Sequence, residues 1–406
     1  MDASRFQSLE ARVYWLLLAA GGALAGAGLL AAHVMDQHGH AITGMDNQVV
    51  WGLPHVFAIF MIVAASGVLN VASIGSVFGE PVYKKRAPLS GLLALTLLAG
   101  GLMVLMLDLG RPERVIVAAT HYNFTSVFAW NVFLYSGMFA IVAIYLWTMF
   151  ERRMNPYSKA AGIAALIWRF VLTTGTGSIF GFLVARQAYQ SALLAPLFIV
   201  LSFGWGLAIF LVVQSSMFAW NGRRLDAAVQ QRLARLLGVF VAAALYLVAV
   251  YHLTNGYFAR QHGFEAFILL GRDGGGVYAT LFWLGYVALG SLLPLVLLFG
   301  PASGSARGTL AAAAAVVLGA FAFLYVFIIG GQAFPLEIFP GYAASSSFGD
   351  SAVAHYVPSW PELLLGLGGV GAAFVLTTVG VRVLDFLPQD DLPTPDRKPH
   401  VAAEAP

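Results

Sequence analysis

Ten stretches of this chain run for about 20 residues or more with almost no charge: near 12–34, 53–78, 88–108, 125–150, 160–185, 193–219, 232–254, 277–299, 308–330 and 361–384. A helix needs about 20 mostly apolar residues to cross the hydrocarbon core of a bilayer. Inside lipid the backbone has no water to bond, so only helices and closed barrels can span. Barrel strands are about half as long and alternate apolar with polar residues; these stretches do not alternate. The reading is an all-α polytopic membrane protein with about ten transmembrane helices. Composition agrees, with 59% hydrophobic and 10% charged residues against about 25% charged in a soluble domain. The first stretch, over 13–32, is long enough to span and lacks a small-residue cleavage site followed by a soluble domain. It therefore reads as a span and not as a cleaved leader. The segment from Leu387 onward, with Pro388, Asp390, Asp391, Pro393 and Pro395, reads as a disordered extramembrane tail.

Lys and Arg set the orientation. One set of connections holds Arg5 and Arg12; Lys84, Lys85 and Arg86; Arg152, Arg153 and Lys159; Arg223, Arg224, Arg232 and Arg235; Arg307; and Arg382, Arg397 and Lys398. The opposite set holds only Arg111, Arg114, Arg186, Arg260 and Arg272. By the positive-inside rule both ends are cytoplasmic, as an even number of spans requires, and the membrane is read as a bacterial cytoplasmic (inner) membrane. Two polar connections then face outward, 108–126 and 331–362, the second carrying Gln332, Glu337, Asp350 and His355. A structureless connection of that length is uncommon and often functional.

Ionisable residues inside a membrane are costly, which makes each a functional candidate. No Asp or Glu lies at the middle of any span. His55, Asp108, Arg111, His121, Asn123, Arg186, Tyr189, Gln332 and Glu362 all fall at or near outer helix ends. A lipid-soluble redox carrier exchanging protons with the outside needs such a cluster, because its ring needs hydrogen-bond partners and its protons need an acid or base on a path to water. Ordinary interfacial solvation is the competing account of the cluster. His55, behind Trp51-Gly52-Leu53-Pro54, reads as a quinone ligand or as a histidine bonding a neighbouring helix. Asp108 lies one turn from Arg111, and a local ion pair between them is the simplest expectation. Arg169, the only charge well inside a span, is expected to snorkel toward the cytoplasmic face. The run Thr174-Gly175-Thr176-Gly177-Ser178 suits close helix packing, or else breaks the helix to line a cavity. The aromatics read mostly as lipid-facing or belt residues.

Redox metals are not expected in this chain. It has no cysteine, so it holds no iron–sulfur cluster and no disulfide. Of its nine histidines only His33, His55 and His252 fall in or beside spans, and no helix stacks histidines as a two-haem cytochrome does, so no haem is expected either.

Two stretches carry a resemblance. Leu107-Asp108-Leu109-Gly110-Arg111-Pro112-Glu113-Arg114 followed by His121-Tyr122-Asn123-Phe124-Thr125-Ser126 resembles the signature of the NrfD/PsrC/HybB family, the membrane subunits of polysulfide reductases, nitrite reductases and certain hydrogenases. Tyr356-Val357-Pro358-Ser359-Trp360-Pro361-Glu362 resembles the start of the last helix in the ten-span members. With the helix count, the resemblance covers about 51–384. It implies two four-helix bundles, 51–190 on the quinone side and 191–330, flanked by an N-terminal helix and outer loop (1–50), an outer loop and last helix (331–386) and a cytoplasmic tail (387–406). It implies a quinone, menaquinone or ubiquinone, bound near the outer face. An extracytoplasmic ferredoxin-like iron–sulfur subunit would dock there, with further catalytic or cytochrome subunits beyond it. The quinone contacts implied are His55, Asp108, Arg111, Arg186 and Tyr189, and the docking residues Glu113, His121, Asn123, Gln332 and Glu337. Some members carry an Asn one turn before the His, where this chain has Trp51 and Gly52. The run 330–348 looks most like the DsrP branch, the quinone-interacting subunit of a sulfur-metabolism complex, with a hydrogenase-type or molybdopterin-enzyme partner as the alternative.

The leading expectation is thus an electron-transfer subunit, not catalytic alone, with the lipid bilayer and protein subunits as its partners and no nucleic acid. A secondary transporter is the alternative from another class, but such proteins place coupling groups at the midplane, where this chain has no carboxylate. A purely structural anchor is the third reading. The same missing carboxylates point to proton exchange at the outer face without transmembrane pumping.

Overall fold

The computed structural model describes residues 6–7, 9–222, 225–301, 303–336, 352–384 and 386–388. Among these, ten helices are long and apolar enough to cross a membrane. They are α1 (Ala11–His38), α2 (Leu53–Ser76), α3 (Ala87–Leu107), α4 (Val127–Phe150), α5 (Ser158–Gly181), α6 (Leu194–Trp220), α7 (Ala227–Tyr257), α8 (Gly276–Phe299), α9 (Ala306–Ala333) and α10 (Trp360–Leu384). Pro54 and Pro88 open α2 and α3, where a missing N–H costs nothing. Asp226 and Ser305 cap α7 and α9 by accepting from Ala228 N and Gly308 N, satisfying donors that the first turn leaves free. Turns of the wider π type occupy Leu281–Leu292 in α8 and Tyr325–Gly330 in α9. Such turns are rare and concentrate at functional sites.

The helix α2 is the hub. It packs against α3, α5, α6 and α10, and 94% of its most apolar window is buried, against 22% for α1. A helix apolar on every side belongs inside protein, and α2 is such a helix. Helices α2, α3, α4 and α5 pack around one another, and so do α6, α7, α8 and α9. The two groups join where α2 crosses α6. There a Cβ on Gly67 would collide with the Ser202 carbonyl, and one on Gly206 with the backbone of Gly67. Lipid tails are as apolar as leucine, so helices associate by backbone approach at small residues such as these. Helix α1 pairs with α10, which lies on α3 and α2.

Two local expectations are corrected here. The chain from Gly331 to Ala333 is not a connection but the last turn of α9. Its Gln332 side chain bonds the Ile328 carbonyl one turn back and keeps the helix going. Leu387 and Pro388 are not part of a disordered tail: they pair antiparallel with Phe6–Gln7, anchored by the buried Phe386 stacked on Phe150 at 4.8 Å. That pairing puts both described ends of the chain at one end of the bundle. Helix α5 runs unbroken through the 174–178 stretch. A Cβ on Gly177 would meet the Leu194 carbonyl, so this run serves close packing.

Candidate functional site

His55 lies in the first turn of α2 and Asp108 is the residue that ends α3. The helices run antiparallel, so these two termini meet. His55 Nδ1 stands 2.8 Å from Asp108 Oδ2. The contact is close but off the line of a hydrogen bond, and neither Asp108 oxygen has an in-line partner among the described residues. The carboxylate is 1% exposed and the imidazole 15%. A buried carboxylate beside Nδ1 fixes the ring orientation and leaves Nε2 for a ligand.

Asp108 therefore pairs with His55 and not with Arg111, correcting the local ion pair expected above. Asp108 keeps helical backbone angles and its side chain turns back into the bundle, whereas Arg111 at φ −145° leaves the helix axis and is exposed. The Asp108 carbonyl is held from the other side by His40, whose Nε2 lies 2.9 Å away.

Beside His55 is a cavity of 420 Å³, walled chiefly by Trp51, Phe128, Tyr135, Phe180 and apolar residues of α2, α3, α4 and α9. The Trp51 ring stacks over His55 at 6.0 Å and meets Phe180 edge-on at 5.6 Å. Polar atoms in the wall are few. Asn131 donates to the Val127 carbonyl, and its Oδ1 is buried without a partner among the described residues. A second cavity, of 350 Å³, adjoins the first across Leu109, which lines both, and is lined by His33, Asp36 and His40. An apolar slot and a polar funnel thus share one wall at Leu109, next in the chain to Asp108.

The other expected contacts take different places. Arg186 and Tyr189 do not line the 420 Å³ cavity. Arg186 donates to the carbonyls of Gln332 and Gln48, at 2.8 and 2.7 Å. Burial pulls its guanidinium down from its ordinary value. Tyr189 is buried, donates to the Ile328 carbonyl at 2.9 Å and packs on Phe180 and Phe327. Burial pushes its hydroxyl up, so it stays neutral. These two residues support the wall from behind, since Phe180 and Ile328 both face the cavity.

Gln332, expected on a docking surface, is 1% exposed. Its amide accepts from Val50 N and Trp51 N and donates to the Trp51 carbonyl, so it holds the approach to α2. Having spent all its bonding groups inside, it offers none to a partner. Glu337 lies outside the described residues. Arg111, Glu113, His121 and Asn123 are exposed on the 108–126 connection.

A second lock closes the same end. Glu362, fully buried at the start of α10, accepts from Gly44 N, Ser359 N and the Tyr356 hydroxyl. Tyr356 in turn accepts from Leu53 N at 2.7 Å. A Cβ on Gly52 would collide with Glu362 Oε1, which explains a glycine just ahead of α2. Arg169 does not snorkel. It is 4% exposed and bonds Asn70 Oδ1 and the Ser66 carbonyl on α2, with the rings of Phe170 and Phe203 5.2 and 5.4 Å from the guanidinium. Its position on the α2-facing side of α5 turns it inward.

Sequence reasoning missed Trp51 as a wall, Asn131, His40 and the Tyr356–Glu362 pair. It also missed Glu265, which sits 2.8 Å from His252 in the connection between α7 and α8. For Asn131 the visible signal was a lone Asn in the first turns of the apolar α4.

Comparisons with known proteins place the chain in a family. The family model described as polysulphide reductase, NrfD, matches residues 41–336. The protein is 30% identical to an Hdr-like menaquinol oxidoreductase integral membrane subunit of Archaeoglobus fulgidus, over 88% of this sequence and 90% of that one. It is 25% identical to the C subunit of the polysulfide reductase of Wolinella succinogenes, over 71% and 96%. It is 22% identical to the menaquinone reductase integral membrane subunit of Nitratidesulfovibrio vulgaris, over 90% of each.

Proposed function

Because the chain belongs to the NrfD polysulphide reductase family, we propose that it is the quinone-reactive subunit of a membrane oxidoreductase. In this reading it passes electrons between the membrane quinone pool and an extracytoplasmic iron–sulfur subunit. The observation that carries the proposal is the His55–Asp108 pair at the edge of the 420 Å³ apolar cavity. The donor set suits a quinone headgroup. The aromatic slot would take the ring, His55 Nε2 would bond one ring oxygen, and the unpartnered Asn131 Oδ1 would accept from a quinol hydroxyl.

A bound quinone or quinol supplies coupled electron and proton chemistry. The residues supply the rest. Trp51 and Phe180 exclude water from the slot. His55 holds or releases a proton at Nε2, and Asp108 stabilises the imidazolium through Nδ1. His40 fixes the Asp108 segment, and the funnel of His33, Asp36 and His40 leads protons to water on the same side. Proton exchange stays at that face, which is outermost if both ends of the chain are cytoplasmic in the inner membrane. The names of two relatives, a menaquinol oxidoreductase and a menaquinone reductase, favour a menaquinone-type ring. The polysulfide reductase relative favours a complex acting on sulfur compounds. Docking falls on the exposed Arg111, Glu113, His121 and Asn123 beside the funnel.

The test is purification from membranes in mild detergent. Co-purification of an iron-containing subunit that a quinol reduces, with the reduction lost in His55→Leu, is the expected result. A chain that purifies alone, iron-free and indifferent to quinol would overturn the proposal.

A further inference from the structure

A second histidine–carboxylate pair lies at the same end of the molecule, in the other helix group. His252 is in the last turns of α7, and Glu265 is in the short helix His262–Leu270 that follows. His252 Nδ1 bonds Glu265 Oε2 at 2.8 Å, and Asn255 Nδ2 donates to Glu265 Oε1 at 2.9 Å. Both oxygens of the carboxylate are thus engaged, and Glu265 is 6% exposed. Acceptance by the carboxylate places the imidazole hydrogen on Nδ1 and leaves Nε2 as a free acceptor. Nε2 has no partner among the described residues, and His252 lines a groove of 720 Å³. Leu253, Tyr257, Leu269, Phe282 and Trp283 form much of the rest of the wall. The Phe282 ring meets His252 edge-on at 4.8 Å. Phe282 and Trp283 both belong to the π-helical part of α8.

We infer that this groove is a second binding site for a lipid-soluble quinone or quinol, with His252 Nε2 bonding the headgroup oxygen. The inference rests on the reading above that the chain meets membrane quinones. A half-buried, oriented imidazole at the head of an otherwise apolar groove has no packing reason to keep Nε2 free. A phenolic or quinone ring matches that acceptor and the aromatic walls. No lining residue is Lys or Arg, and Glu265 adds negative charge beside the head position. A phosphate headgroup is therefore repelled rather than held. Leu253 and Trp283 are 74% and 49% exposed, so the groove opens sideways to the lipid where the quinone pool resides.

The experiment uses the intact complex in lipid nanodiscs, titrated with 2-heptyl-4-hydroxyquinoline N-oxide, a quinol mimic whose fluorescence is quenched on binding. Two binding equivalents per chain are expected, one lost in His55→Leu and the other in His252→Leu. Glu265→Gln should weaken the second by about tenfold, the loss of one oriented hydrogen bond. Leu253→Trp fills the groove without touching the pair. It should also remove the second equivalent and leave the first intact, so misfolding of a His252 variant does not decide the matter. A single equivalent that survives both His252→Leu and Leu253→Trp overturns the inference. So does a second equivalent displaced by anionic phospholipid and not by a short-chain quinone. Loss of an equivalent in His252→Leu with none lost in His55→Leu would overturn the role of His55 and leave the second site standing.

Discussion

The two histidine–carboxylate pairs have the same spacing, 2.8 Å from Nδ1 to a carboxylate oxygen, but they are built in opposite ways. His55 and Asp108 come from separate helices and meet only because α2 and α3 pack along their length. The ground under them is long-range as well. Gln332 of α9 holds Trp51, Arg186 ties Gln332 to Gln48, and Glu362 of α10 holds Gly44 and Tyr356. His252 and Glu265 are 13 residues apart, on the end of α7 and the short helix that follows it. Helix α2 is 94% buried over its apolar window and α7 only 39%. The first pair is thus a product of the whole fold, while the second is a local motif facing lipid. The contrast suits a site that must hold a ring rigidly for electron transfer, set against one that only needs to admit it.

The sharpest break of that comparison is functional. Asp108→Asn removes the charge that supports the His55 imidazolium and should lower quinol-dependent turnover of the complex by about 100-fold or more. Glu265→Gln should leave turnover within about twofold of the wild type in saturating quinol. Equal losses in steady-state assays would show that both pairs take part in proton transfer.

The next effect is on stability, and it should be one-sided. Glu362→Leu strands the buried Tyr356 hydroxyl and the half-buried Gly44 N and Ser359 N. Each buried unsatisfied group costs about 1–3 kcal/mol, so a clear fall in the thermal midpoint is expected. Quinol-mimic binding at the His55 site should fall with it, and binding at the His252 groove should hold. Arg186→Met breaks two bonds to carbonyls but at a half-buried position, and a smaller loss of the same pattern is expected. If both sites weaken together in either variant, they form one cooperative unit and the contrast fails.

A pH scan adds a milder test. Burial, then the hydrogen bond and charge of Glu362, push the Tyr356 hydroxyl up from its ordinary value of 10.0. A folded-state value above the unfolded one means that the folded protein holds this proton more tightly. Its contribution is complete below about pH 10 and fades as pH rises through and beyond that value. The thermal midpoint should therefore turn down above about pH 10, and less steeply in Tyr356→Phe, which has no proton to lose there. An unchanged slope in Tyr356→Phe would place the alkaline loss elsewhere.

The sequence made the ten spans legible because a bilayer imposes a length that no propensity can disguise. It singled out His55 and Asp108, each for being polar at a helix end, but not their pairing. Arg111 stood one turn from Asp108, and only the packing of α2 on α3 shows that the nearer residue in sequence is the farther one in space. Gln332 was misplaced because Gly330-Gly331 reads as a helix stop, whereas the π turn at Tyr325–Gly330 carries α9 one turn further. Glu362 was visible as a charge at the start of α10. Its three partners, spread over Gly44, Tyr356 and Ser359, were not.

Arg169 is where the direction of a side chain overturned a sequence-based expectation, and it yields the smallest expected effect. Its guanidinium bonds neutral partners on α2, and no ion pair to a carboxylate is seen among the described residues. A buried charge without a counter-charge contributes little net stability, and a well-packed apolar replacement is often neutral. Arg169→Met should therefore shift the thermal midpoint only slightly, with Asn70 left as the one group to re-pair. It should also leave the ratio of protons to electrons in reconstituted vesicles at the scalar value of quinone chemistry. A ratio above scalar in the wild type, lost in Arg169→Met, would show that protons cross through the first helix group. The His55–Asp108 pair would then be the outer gate of a transmembrane path instead of its whole extent.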